Sequence, residues 1–221
     1  MKQSECTLVI FCKRPSPGQG KQRIAATLGK DAACEVASAL LQCALEDAER
    51  WPGPVVLSPA SDEDIPWAEQ LLQRSCGVVS QPAGNLGQRL QSVDGALRQQ
   101  GHTFILFTGT DAPEHSEALF AEVRALLVNH DVVLTPADDG GVTVMASKNG
   151  WPDLQVLPWS TERLGQSLAN SCMLSGREVV RSSNCRDVDQ ETDLRRLQDT
   201  LSTDTRPARR QLFNVINSLL N

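Results

Sequence analysis

Tyrosine does not occur in this chain, so Trp and Phe are its only aromatics. No run approaches the roughly 18 apolar residues that a membrane-crossing helix requires, which excludes membrane insertion from the expectations. Met1 to Glu5 is polar, against a signal peptide, and the chain is expected to be cytoplasmic. A surplus of cations is also missing. Lys and Arg number 21 against 27 acids, a net charge of −6, and this offers nothing to a nucleic-acid backbone, which is bound through clustered Lys and Arg. The cysteines, Cys6, Cys12, Cys34, Cys43, Cys76, Cys172 and Cys185, are odd in number and contain no C-x-x-C pair. They read as reduced thiols packed as small hydrophobes, not as zinc ligands. Neither G-x-x-x-x-G-K-[ST] nor G-x-G-x-x-G is present, so the chain has no P-loop or dinucleotide fingerprint.

What is there is an alternation of strand and helix signals over 221 residues, enough for one α/β domain spanning residues 1–221. Cys6 to Cys12 and Phe104 to Phe107 are short, nearly continuous apolar runs, the pattern of parallel strands buried on both faces. Further strands are expected at Val55 to Leu57, Val78 to Val79, Asp131 to Pro136 and Arg177 to Arg181. Val142 to Met145 follows a short loop and is expected to return antiparallel. Helical spacing predicts helices over Asp31 to Arg50, Asp62 to Arg74 with Ile65, Leu71 and Leu72 inward, from the loop Gly84 to Leu90 on to about Gln100, Ser116 to Asn129, Thr161 to Ser175 and about Glu191 to Leu201. Ser202 to Arg210 is polar and loosely patterned, and Gln211 to Leu220 is expected to close the chain as a helix. Together these predict a three-layer α/β/α fold around a mostly parallel, mixed sheet, Rossmann-like in its winding.

Charge then gathers at strand ends. After the first strand, Lys13 to Arg23 brings two pairs of cations together with two prolines and the glycines Gly18 and Gly20. The prolines restrict the backbone and the glycines let it approach a ligand, a composition suited to a di- or triphosphate; a solvated surface loop fits as well. Gly84 to Leu90, with Gly87 and Arg89, opens a helix whose free N–H groups suit an anion, or is a tight turn with a surface Arg. Asp111 stands just past the strand Phe104 to Phe107, where open α/β sheets bind ligands, and is the first candidate for a metal ion; it could equally cap a turn. Asp138 and Asp139 end another strand in an Asp-Gly-Gly turn, with Asp139 a candidate base or acceptor contact. Asp187 and Asp189 alternate along an extended segment, so both point to one side and could share a divalent cation with Asp111; capping of the next helix by Asp189 or Thr192 is the competing reading.

At these residues the chain resembles the bacterial glycosyltransferase-like proteins of the nucleotide-diphospho-sugar transferase superfamily, with a GT-A fold, distantly related to the molybdenum-cofactor and phospholactate nucleotidyltransferases. Phe11 to Arg23 looks like the family's first phosphate loop and Gly84 to Arg89 its second glycine motif. Gly109 to Pro113 resembles its metal-binding Asp turn, Pro136 to Gly141 its acceptor-side turn, and Asp187 to Asp189 with Thr192 to Leu194 its closing acidic motif. The resemblance implies nucleotide or phosphate contacts from Lys13, Gly18, Lys21, Arg23, Gly87 and Arg89, and metal held by Asp111 with Asp187 or Asp189, as Mg²⁺ or Mn²⁺. Gln22 stands where the family has Thr, and Val142 and Thr143 where it has aromatics, so the acceptor side departs from the pattern. The expectation is a metal-dependent transferase using a nucleotide-sugar or nucleoside triphosphate donor and a small acceptor, most simply glycosyltransferase-like, with Lys21 and Asp139 as catalytic candidates. Nucleotidyl transfer on the same fold, or a non-catalytic nucleotide-binding protein, are the alternatives.

Overall fold

The computed structural model describes residues 5–220; the polar opening stretch Met1 to Ser4 lies outside them. Seven strands form one sheet: β1 (Cys6–Cys12), β2 (Val55–Pro59), β3 (Gly77–Val78), β4 (Phe104–Thr108), β5 (Val132–Pro136), β6 (Val142–Ser147) and β7 (Val179–Arg181), in the order β3-β2-β1-β4-β6-β5-β7. β6 runs antiparallel to both β4 and β5, and every other pairing is parallel. The mostly parallel, mixed sheet expected from the sequence is therefore the one found.

The apolar runs are explained by what covers them. Leu8 and Ile10 of β1 join a cluster with Leu41 and Leu45 of α2 (Lys30–Glu49) and Phe120, Val123 and Leu127 of α5 (Glu117–Asn129). Val9 between them points to the opposite cluster, built with Leu90, Val93 and Leu97 of α4 (Leu86–Gln99) and Leu168 and Cys172 of α6 (Leu164–Leu174). A strand buried on both faces cannot alternate polar and apolar residues, hence its unbroken hydrophobicity. A third cluster lies outside the sandwich. Val36 and Leu40, on the far side of α2, meet Ile24 of α1 (Gln22–Leu28), Leu194 and Leu197 of α7 (Glu191–Leu201) and Leu212 and Ile216 of α8 (Pro207–Leu220). No helix among the described residues is long and apolar enough to cross a membrane.

Two expected elements differ. The helix over Asp62 to Arg74 shrinks to a 3₁₀ turn at Asp62–Asp64 and one helical turn, α3 (Ile65–Ala68). Residues beyond it are used otherwise: Arg74 donates to the carbonyls of Ala48, Trp51 and Gly53, and Glu49 accepts from the Gln73 N–H, so this segment closes the end of α2 instead of bonding to itself. The closing helix begins at Pro207, four residues before Gln211, a proline at a first helical position costing no hydrogen bond. Its Arg209 is fully buried, donating to Asp47 at 2.6 Å, Glu46 at 3.0 Å, and the carbonyls of Cys43 and Pro113. All seven cysteines are free thiols. Burial pushes Cys6, Cys12, Cys43 and Cys185 up to about 12, which makes them inert hydrophobes.

Candidate active site

The sheet order brings the charged loops together. β2 lies on one side of β1 and β4 on the other, so the connections leaving the carboxyl ends of β1 and β4 diverge and open a crevice between them. Lys21 enters it from the β1 loop and Asp111 from the β4 turn, and Lys21 Nζ lies 2.7 Å from Asp111 Oδ1. The same ammonium donates to the carbonyl of Val188, whose N–H in turn donates to the Asp111 carbonyl at 2.8 Å. Three segments separated by as many as 167 residues are thus tied in one knot. Lys21 sits in left-handed backbone, φ 45 and ψ 42, a conformation that costs a non-glycine residue about 1 kcal/mol. The knot is what holds it there.

A cleft of about 950 Å³ opens beside the knot. Its lining includes the cations Lys13, Arg14, Lys21 and Arg89 and the acids Asp62, Asp64, Asp111 and Asp189. Arg89 donates its Nε to the Gly84 carbonyl at 2.8 Å, fixing the side chain over the start of α4, where Asn85 caps by accepting from the Gln88 N–H. The Lys21 side chain is 8% exposed, its ammonium engaged by Asp111 and the Val188 carbonyl. Arg23 is turned outward, paired with Asp189 at 2.7 Å. Gly18 stands outside the cleft lining, its carbonyl accepting from Gln22. Gly87 is buried: a Cβ there would meet the Leu154 carbonyl oxygen at 2.1 Å and Trp159 Nε1 at 2.5 Å, so this glycine admits close packing of Leu154 and Trp159 onto α4.

The acids divide as well. Asp187 lines a second chamber, together with Asp111, and burial first, then the neighbouring charges of Asp139 and Asp111, push its carboxyl above the usual range. Asp189 is drawn off by Arg23, and its N–H with that of Gln190 donates to Asp193, which does the capping expected of Asp189 or Thr192. Asp139 closes its own turn by accepting from the Gly141 N–H at 2.8 Å, and Asp138 pairs with Arg186. The expected trio of Asp111, Asp187 and Asp189 does not gather: among the described residues no group of three or more His, Cys, Asp or Glu is placed to hold a metal ion alone. Two cleft acids, Asp62 and Asp64, were not foreseen. Their signal was an acidic run directly after a strand, Ser61 to Asp64, read only as a helix start.

The sequence from residue 40 to 161 matches the family described as "uncharacterized protein conserved in bacteria (DUF2064)". No curated protein matches the chain. Among solved structures the fold is similar to that of a candidate nucleotide-diphospho-sugar transferase from Desulfovibrio desulfuricans G20, with a TM-score of 0.87, 22% identity and 98% of each chain covered. It is also similar to a cytidylyltransferase from Leptospira borgpetersenii serovar Hardjo-bovis (TM-score 0.54, 12% identity, 97% of this chain and 94% of that one). A CMP:2-keto-3-deoxy-manno-octonic acid synthetase complexed with CTP is a further neighbour (TM-score 0.51, 13% identity, 91% and 100% covered). At such identities the likeness is one of fold, and the fold is that of the nucleotide-diphospho-sugar transferases.

Proposed function

The chain belongs to the DUF2064 family, and from that premise we propose that it is a metal-dependent transferase moving a sugar from a nucleotide-sugar donor to a small acceptor. One observation carries the reading: Lys21 and Asp111 meet at 2.7 Å in the lining of a cleft that also carries Lys13, Arg14 and Arg89. Lys13, Arg14 and Arg89 are the cations left to meet a diphosphate, since Lys21 and Arg23 are engaged elsewhere. The fold likeness to a candidate nucleotide-diphospho-sugar transferase supports the donor class.

The donor set fits a hard divalent cation. Mg²⁺ is commonly held by only one or two carboxylates, with substrate phosphates completing its shell, and Asp111 supplies such a carboxylate, 54% exposed at the side chain, beside the half-buried Asp187. Mg²⁺ or Mn²⁺ held there by Asp111 would offset the negative charge of the donor's phosphates. In the transfer step the acceptor hydroxyl oxygen forms a bond to the sugar carbon while the bond from that carbon to the nucleoside diphosphate breaks, the electron pair leaving with the diphosphate. The hydroxyl proton passes to Asp187, a carboxylate made more basic by its surroundings and lining the chamber where an acceptor fits. Asp139, expected as base, is less well placed, with one oxygen committed to its turn.

Nucleotidyl transfer is the second reading, favoured by the fold likeness to cytidylyltransferases. There the acceptor attacks phosphorus and pyrophosphate leaves. Thermal unfolding against CTP, UDP-glucose and GDP-mannose, with and without Mg²⁺ or Mn²⁺, tests both. Ligand at roughly 100 times its dissociation constant adds about 2.7 kcal/mol of stability, and that gain should need the metal and vanish in Asp111→Ala. Metal-independent binding that survives Asp111→Ala would remove the metal role from this residue; release of pyrophosphate instead of nucleoside diphosphate on turnover would select the second reading.

A further inference from the structure

Beyond the wall formed by Gly109 and Asp111 the cleft adjoins a chamber of about 230 Å³. We propose that this chamber takes the acceptor, resting on the reading of the polar cleft as the donor site, and that the acceptor is a small alcohol with an apolar body, a ring or branched hydrocarbon carrying a hydroxyl, and not a free sugar.

The walls say what they will accept. Phe11 and Phe107 meet edge to face at 5.6 Å, and Leu90, Met145, Trp159 and Leu164 complete most of the lining. Trp159 brings no donor inward, because its indole N–H is spent on the Leu154 carbonyl at 2.7 Å, and Thr108 has committed its hydroxyl to the Thr143 carbonyl at 3.1 Å. The charged groups of the lining are the carboxylates of Asp111 and Asp187. Thr143 adds one buried hydroxyl without a hydrogen-bond partner; a free hexose would still bury most of its hydroxyls here without partners, and unpaired buried polar groups are strongly disfavoured. One hydroxyl on an apolar body would meet the two carboxylates and leave the rest against hydrocarbon.

The chamber is also built, not incidental. Strict alternation would send Val142 and Met145 to opposite faces of the sheet, yet both pack with the cluster on the chamber side. The register between β5 and β6 breaks at Thr135/Pro136, and that bulge turns Val142 toward the chamber. Trp159 is followed by Ser160 in left-handed backbone, φ 62, and is accommodated only because Gly87 has no side chain. Leu86, 40% exposed and lining both cavities, is the apolar surface a bound acceptor would cover.

Saturation-transfer NMR on the full chain tests this, with benzyl alcohol and cyclohexylmethanol as apolar probes and methyl glucoside and glycerol as polyols. The apolar alcohols should bind and the polyols should not. Leu164→Trp, which fills the chamber, and Val142→Lys, which charges its rim, should each weaken alcohol binding at least about tenfold, a size typical of a changed apolar pocket. If Leu164→Trp does not fold, the half-buried position of Val142 keeps the second variant decisive. Methyl glucoside binding as well as benzyl alcohol, or alcohol binding unchanged in a folded variant, would overturn the proposal. A nucleotide titration of the same sample separates the two readings: nucleotide binding without alcohol binding sinks the chamber proposal alone, and alcohol binding without nucleotide binding sinks the transfer reading and with it the acceptor role, leaving only an apolar-alcohol pocket.

Discussion

Replacing Arg209 by Met should cost this protein a large part of its stability, and by an amount that depends on pH. Arg209 is fully buried and answers two acids of α2, Asp47 at 2.6 Å and Glu46 at 3.0 Å, both only 11% exposed at their side chains. It also donates to the Pro113 carbonyl at 3.1 Å and the His115 carbonyl at 3.3 Å, behind the turn that carries Asp111. Methionine fills much of the volume but strips the acids of their closest cation, leaving Asp47 with Arg206 at 3.7 Å and Glu46 with Arg50 at 3.7 Å and the Ala208 N–H, and breaking a buried pair from one side costs about 3–5 kcal/mol. Against a total of roughly 5–15 kcal/mol this is severe; for a chain of this length it lowers the melting temperature by roughly 6–20 °C. The pH dependence follows from Asp47. Burial already raises its carboxyl above the ordinary value of 3.8, and Arg209 first, then Arg206, pulls it back down. In the variant the native value rises further. A group whose native value exceeds its unfolded one favours the fold when protonated, so the penalty is full at neutral pH, shrinks as pH falls through the raised native value, and loses the Asp47 share below about 3.8. Urea unfolding followed by Trp fluorescence from pH 7.5 to 4 measures it, and Asp47→Asn in the same background should recover part of the loss. A deficit under about 1 kcal/mol, or one that is constant over that range, would refute the reasoning.

Lys13→Ala with Arg14→Ala should weaken nucleotide binding and flatten its salt dependence without lowering the melting temperature, since both side chains are exposed on the cleft wall; titration at two ionic strengths checks this. Lys21→Met should loosen the Asp111 turn, weakening metal-dependent nucleotide stabilisation while leaving metal-free nucleotide binding nearly unchanged, which thermal shift in the presence and absence of Mg²⁺ separates. Gly87→Ala should destabilise by about 1–3 kcal/mol through overpacking, because the new Cβ meets the Leu154 backbone; chemical denaturation gives the value. Iodoacetamide on the native chain should modify Cys34 and Cys76 ahead of the five buried thiols, and peptide mapping after a timed quench shows the order.

What the sequence by itself determined is the set of elements and the positions of charge at their ends. Nearly continuous apolar runs at Cys6 to Cys12 and Phe104 to Phe107 mark strands covered on both faces, and Lys21 and Asp111 each follow one of them, because periodicity and turn chemistry are carried by residues a few positions apart. Which of those charges stay open on the cleft and which pair with one another was decided only by tertiary structure. Arg23 and Asp189, 166 residues apart, neutralise each other at the surface, Gly87 admits close packing, and Arg209, in a stretch that reads as polar and loosely patterned, is the most buried cation of the described chain. The chamber behind Asp111 depends on a bulge between β5 and β6 and on a tryptophan from an irregular segment. No local pattern records such features, since they arise from strand order and from contacts between segments that the chain brings together only on folding.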